Sequence, residues 1–212
     1  MLKFIGGDDD LKIYLHVSDL FGENSWFVVL KPFLFVVDPG RGSKAAMEEL
    51  KEIVNVESVE LVLTHGHVDH VYDLIALQPD KVYLHQSEKQ VLLEPSYSLF
   101  DQFGINTACF AQIHFSDPSE LGKAWKVIHT PGHTPGSCSY LLRDDYLFTG
   151  DTVFADSIGR TDLPGGDWQA MASSVARLTK LFREKPDLLI LPGHGPITTA
   201  KYILQENPFF IR

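Results

Sequence analysis

Apolar and polar residues alternate over 11–17, and apolar residues fill 26–30 and 33–37, with Lys31-Pro32 between the last two runs. Period-two alternation followed by short apolar runs joined at a proline turn predicts a β-meander. Asp38-Pro39-Gly40 closes its third strand, and Ser43 stands where it would cap a helix over 44–54, with Glu48 and Glu49 in the early turns. Beyond it the same patterns predict strands over 61–63, 81–85, 125–129, 138–142, 146–148 and 188–191, and helices over 71–77 and 87–93. The stretch 96–112 is weakly periodic, and no element is assigned to it. Strands interleaved with helices place the chain in the α/β or α+β class.

The residues that follow four of these strands carry the chemistry. The run 61–63 leads into Thr64-His65-Gly66-His67-Val68-Asp69-His70. Three histidines and an aspartate at this spacing arise by chance in roughly one chain in a thousand of this composition. Imidazole and carboxylate are ordinary zinc and iron ligands. Alternate positions in an extended turn send His65 and His67 to one side, while Asp69 and His70, past the bend, reach a second point nearby. A polar turn in which Asp69 merely caps a helix accounts for one residue of the four.

The other three turns repeat the device. In Thr130-Pro131-Gly132-His133-Thr134-Pro135-Gly136-Ser137, two prolines and two glycines hold one histidine rigidly, which aims His133. Thr149-Gly150-Asp151-Thr152 puts an aspartate directly after a buried strand, and its two oxygens can hold two cations. Leu191-Pro192-Gly193-His194-Gly195-Pro196 ends the last strand on a histidine. The four turns converge if their strands share one sheet edge. His85, His114 and His129 fall outside any ligand spacing and read as satisfied or surface histidines. Asp38 reads as a turn residue that supports the site from behind.

Composition narrows the partners. A chain of 212 residues with 44% apolar content is long enough for a well-formed core. A net charge of -10 and a pI near 5.3 oppose attraction to nucleic acid or anionic membranes, although a metal centre could still draw a small anion. The N-terminus lacks a basic leader with an apolar core, and no apolar run is long enough to span a bilayer, so a cytoplasmic protein is expected. Cys109 and Cys138 form no C-x-x-C pair, which leaves them as reduced thiols and not a zinc site. The apolar end 207–212 suits packing on the body or on a second subunit, so monomer and homodimer are both open.

The order of these four turns, from Thr64–His70 through Pro131–Ser137 and Gly150–Phe154 to Pro192–Gly195, resembles the metallo-β-lactamase-fold hydrolases over residues 11–205. Within that superfamily it is most similar to the glyoxalase II, or hydroxyacylglutathione hydrolase, group. The segment 150–167 is similar to the short single-domain bacterial branch. The resemblance implies a four-layer αββα sandwich in one domain over 1–212, with no separate C-terminal helical domain to hold glutathione. It implies two divalent cations: one on His65, His67, His133 and Asp151, the other on Asp69, His70, Asp151 and His194. Zinc is expected there, and iron or manganese suits the same donors. Two such ions, two carboxylates and a bridging hydroxide leave a charge of about +1, enough to make hydroxide available near neutral pH.

The activity so implied is hydrolysis of a small-molecule acyl thioester such as S-lactoylglutathione by that hydroxide. Asp151 would bridge the ions and Asp69 would relay a proton. Arg160 stands where the longer enzymes carry a lysine, as a clamp for a substrate carboxylate or as a brace paired with Asp162. Two of their tyrosine positions are Asp162 and Pro196 here, so part of the glutathione grip is missing. The alternatives on the same fold are a persulfide dioxygenase, with one iron on His65, His133 and Asp151, and a lactonase or other ester hydrolase.

Overall fold

In the computed structural model the described residues are 2–104 and 106–211. Met1, Ile105 and Arg212, which belong to three of the stretches read above, lie outside them. The chain opens with β1 (Lys3–Gly7), β2 (Leu11–Val17), β3 (Asn24–Leu30) and β4 (Phe33–Val37), then α1 (Ser43–Lys51), β5 (Ser58–Val62), α2 (Val68–Val71), β6 (Lys81–Tyr83), α3 (Glu88–Leu93) and α4 (Pro95–Ser98). It continues with β7 (Phe115–Ser116), β8 (Trp125–His129), β9 (Cys138–Leu142), β10 (Tyr146–Gly150), α5 (Trp168–Glu184), β11 (Leu189–Pro192), β12 (Thr198–Thr199) and α6 (Ala200–Glu206). Seven strands form one sheet in the order β1 to β7, antiparallel as far as β4 and parallel beyond it. The second sheet runs β12-β11-β10-β9-β8, with β10 and β11 parallel.

Side-chain alternation explains how the two sheets stack. Along β3 and β4, Trp26, Val28, Phe35 and Val37 face the other sheet and meet Trp125, Tyr140, Phe148 and Leu191. Their neighbours Phe27, Val29, Leu34 and Val36 point the opposite way, onto Ala46, Met47 and Leu50 of α1. Both faces of β3 and β4 are therefore buried, and this is why these two strands read as continuous apolar runs. The outer face of the second sheet, Leu141, Leu147 and Ile190, is covered by Met171, Val175, Leu178 and Phe182 of α5 and Ile203 of α6. The result is the expected αββα sandwich, with helices on both outer faces.

Three local expectations change. Ser43 does not cap α1: it is the first helical residue and its hydroxyl donates to Ser25 Oγ, while Gly42 is the N-cap at φ 95°. The capping acceptor comes from elsewhere, because Asp73 Oδ2 takes the N–H of both Gly42 and Lys44 at 3.0 Å. The helix expected over 71–77 starts earlier and is shorter. It ends at Val71 and gives way to turns, as Asp73 N–H donates to Pro39 O and its carboxylate is used by α1. The unassigned stretch 96–112 contains α4 and two short 3₁₀ turns, Phe100–Phe103 and Thr107–Gln112.

The C-terminal stretch packs on the body, with Phe210 buried against Phe182 at 5.5 Å between centroids. No helix among the described residues is long and apolar enough to cross a membrane. The feature that positions the site is the shared edge. The carboxyl ends of β5, β10 and β11 and the β8–β9 turn lie together, tied by Cys138 N–H to Thr64 O (2.9 Å), Tyr140 O–H to Leu63 O (2.9 Å) and Gly193 N–H to Gly150 O (2.9 Å).

Candidate metal centre

All four strand-end turns meet at that edge. The imidazoles of His65, His67 and His133 lie 4.6 to 4.9 Å apart between ring centroids, and His67 Nδ1 and His133 Nε2 approach to 2.9 Å. Beside them His70 Nε2 is 3.3 Å from Asp151 Oδ1 and 3.6 Å from Asp69 Oδ2. His194 Nε2 is 3.1 Å from Asp69 Oδ2 and 3.7 Å from Asp151 Oδ2. Asp151 also reaches the first group, with Oδ2 3.6 Å from His133 Nε2, so its two oxygens stand between the two clusters. The seven residues singled out in the sequence are thus gathered into one cage.

Close backbone approach makes the cage possible. At Gly193 a Cβ would collide with Asp151 Oδ1, and at Gly150, where φ is 48°, it would run into Thr64. The rest is orientation by hydrogen bonds. Asp38 Oδ1 accepts from Thr64 N–H at 2.7 Å, and Oδ2 accepts from Thr64 Oγ1 (2.7 Å) and His70 Nδ1 (3.0 Å). Its donors fill it, so although Asp38 clusters with His65 and His70 it supports the cage and does not line it. His133 Nδ1 donates to Arg160 O at 2.8 Å, which leaves Nε2 to face inward. His65 Nδ1 lies 3.0 Å from Thr64 Oγ1. Each fixed nitrogen sets the tautomer that exposes the other.

A support with no counterpart in the sequence reading is Glu88, at the start of α3 and fully buried. Its Oε2 accepts from Gly66 N–H at 2.9 Å and its Oε1 from Gly136 N–H at 2.6 Å. One carboxylate therefore joins the turn of His65 and His67 to the turn of His133. Burial pushes its pKa up, against the pull of hydrogen bonds from Thr134, Gly136 and Gly66. The available signal was a glutamate on the inward side of a short helix, at a position where apolar spacing continues into Val91 and Leu92.

The donor set suits a transition metal on grounds of its own. His65 Nε2, His67 Nε2, His70 Nε2 and Asp151 Oδ1 are buried with no hydrogen-bond partner, a costly state that cations would relieve by taking the lone pairs of His65 and His67 and the place of the proton that His70 holds 3.3 Å from Asp151. Burial, and then His70, His67 and His133 around it, hold His65 far below the usual imidazole range. Burial and His133 lower His67 to about 3, so both imidazoles are neutral at physiological pH, the form that can bind a metal. Burial also opposes charge on His70, yet Asp69, Asp151 and Asp38 outweigh it and raise its pKa. The same His70 charge overcomes the burial of Asp151 and keeps that carboxylate ionised. A cation between the carboxylates would take over the role of that proton.

Residues 18–194 match the family described as the Metallo-beta-lactamase superfamily, and the match takes in all seven residues of the cage, His194 being its last. The chain belongs to this superfamily. A probable metallo-hydrolase of Streptococcus pyogenes is 31% identical over 94% of this chain and 90% of its own length. Hydroxyacylglutathione hydrolase GloC of Haemophilus influenzae is 31% identical over 82% of this chain and 85% of its own. The crystal structure of TTHA1623 in a di-iron-bound form superposes with a TM-score of 0.77 at 28% identity, covering 92% of this chain and 98% of that one.

For this member of the metallo-beta-lactamase superfamily, Arg160 has two separate connections. Its backbone carbonyl orients His133, while its guanidinium lies on the Asp162 carboxylate in a two-point contact, Nε and Nη2 each at 2.8 Å. The pair is exposed. His85 and His129, set aside in the sequence, stack on each other at 4.4 Å outside the cage.

Proposed function

We propose that the protein hydrolyses acyl thioesters of the S-lactoylglutathione type with a pair of divalent cations. The ligands in this reading are His65, His67, His133 and Asp151 for one ion, and Asp69, His70, Asp151 and His194 for the other. The observation that carries it is the set of buried, unpartnered atoms His65 Nε2, His67 Nε2, His70 Nε2 and Asp151 Oδ1, gathered in one cage. When bound, two divalent ions supply reactive water near neutral pH and positive charge against a developing oxyanion.

The chain's own residues do the rest. Asp38, Thr64 and the carbonyl of Arg160 hold the imidazoles in the tautomers that turn lone pairs inward. Asp151 keeps the two halves of the cage at fixed separation. Asp69, with Oδ2 on His194, has Oδ1 left to accept a proton from water and pass it on. A thiolate leaving group needs little acid assistance, since the parent thiol ionises near pH 8.5. Similarity to GloC supports this substrate class. The second reading is a persulfide dioxygenase with one iron on His65, His133 and Asp151. The Asp69–His70–His194 group favours two ions over one.

S-lactoylglutathione hydrolysis and persulfide-dependent oxygen uptake, assayed on one preparation with its metal content measured, separate the two. Hydrolysis with two metals per chain is expected. Oxygen uptake with a single iron would replace this reading by the other.

A further inference from the structure

We infer that the mouth of the cage carries an aromatic wall that receives an apolar acyl chain of the substrate; this rests on the acyl-hydrolase reading above and extends it to thioesters whose acyl chain is longer than lactoyl. Part of the wall is built by the stretch 96–112, to which the sequence assigns no element. Tyr97, in α4, lies beside the His133 turn: a Cβ on Gly165 would stand 3.2 Å from Pro135 and 3.4 Å from Tyr97. Six residues later Phe103 packs edge-to-face on Phe21 at 5.2 Å, in the β2–β3 turn. Residues 97–103 therefore run from the His133 turn, beside Pro135, to the β2–β3 turn.

The far end of this run is at the second half of the cage. Phe21 also touches Tyr72 at 6.0 Å, and Tyr72 stands three residues after Asp69 with helical dihedrals, so the two share a side of α2. Two residues after Phe21, Glu23 pairs with His194 in an isolated β-bridge. Tyr72 and Phe21 thus stand on the elements that carry Asp69 and the strand partner of His194. They are joined by an exposed surface: Tyr97 is 37% exposed, Phe103 45% and Leu20 49%. Large apolar side chains grouped in the open beside a cleft mark a ligand surface.

Charge decides which ligand. Neither 95–112 nor 18–25 contains a lysine or arginine, while Asp19 and Asp101 are both present. Arg41, which reaches the β2–β3 turn, faces Asp19 at 3.7 Å. A wall with aromatic rings and no cation of its own offers an anionic chain no counter-charge, and gains from each methylene it covers. The occupant is therefore the hydrocarbon part of the acyl group, with its carbonyl over the cage.

Alkyl hydroxamates test this without turnover, since the head chelates metal and the tail projects over the rim. Titrated calorimetrically into metal-loaded protein, octanohydroxamate should bind at least about tenfold tighter than acetohydroxamate. The Phe21→Ala/Phe103→Ala variant should lose most of that ratio, and Phe103→Leu should keep more of it, with folding of each checked by its melting curve. A ratio near one in the native protein, or an unchanged ratio in the double alanine variant, overturns the wall. Thioester assays on the same samples are read separately. A retained chain-length ratio with no thioester cleaved leaves the wall standing and removes the hydrolase reading.

Discussion

Asp38 Oδ2 receives His70 Nδ1 at 3.0 Å while its other oxygen holds Thr64 N–H at 2.7 Å, so one fully buried carboxylate fixes both the start of the ligand turn and its last histidine. Asp38→Asn keeps the size but sets an amide N–H₂ against a donor. Metal affinity at the His70 half of the cage is expected to fall about 10- to 100-fold. Competition with a chelator, following two metals per chain down to one, measures it. Equal affinity in both proteins would mean that His70 needs no such partner.

Glu88 joins the two turns that bring His65, His67 and His133 together. Glu88→Ala leaves the N–H groups of Gly66 and Gly136 buried without an acceptor, at about 1–3 kcal/mol each. A fall in melting temperature of about 5 °C or more is expected, with weaker metal retention. Glu88→Gln keeps one acceptor oxygen and should lie between the variant and the native protein. If Glu88→Ala melts at the native temperature, the clamp has no energetic weight.

His67 gives a pH dependence with a definite sign. Its folded pKa of about 3 lies below the unfolded value near 6.5, so between those limits the unfolded chain binds the extra proton. Metal-free protein should lose stability as pH falls from about 6.5 toward 3. His70, whose pKa is raised, contributes in the opposite sense, so the useful quantity is the difference between the native protein and His67→Gln. Denaturant titrations at pH 7 and pH 5 should show the native protein losing up to about 2 kcal/mol more than the variant. Equal losses would place His67 in water.

Arg160 is tested through its side chain alone, because its carbonyl survives substitution. Arg160→Ala should keep full metal content and raise KM for a carboxylate-bearing thioester about three- to tenfold. Asp162→Ala, which frees the guanidinium, should lower that KM. No change in either variant assigns the pair to bracing its loop.

The convergence of the seven side chains was legible because histidine and aspartate at strand ends are a matter of residue type and spacing. His65, His67, Asp69 and His70 stand in one turn, and His133, Asp151 and His194 each follow a strand with glycine beside it. Their supports were less legible, since Glu88 and Asp38 act through distant backbone and imidazole groups that no local pattern records. The meander over 11–37 was clear from alternation and apolar runs. β1 was missed: it is an edge strand with two glycines and exposed Phe4. α5 was missed although Met171, Val175, Leu178 and Phe182 have helical spacing after the capping Asp167, whose Oδ1 accepts Ala170 N–H at 2.9 Å. The stretch 96–112 stayed unreadable because it is cut into short turns: Phe100 and Phe110 reach the core from two separate 3₁₀ turns while Tyr97 and Phe103 stay exposed, so no single period links them.

In the proposed function, distant turns hold two cations on a shared aspartate. Elemental analysis of the purified protein and of Asp151→Ala tests it most directly. Two transition-metal ions per native chain and near-complete loss in the variant are predicted, with the variant still folded by circular dichroism. A native protein without metal, or a variant that retains both ions, would contradict it.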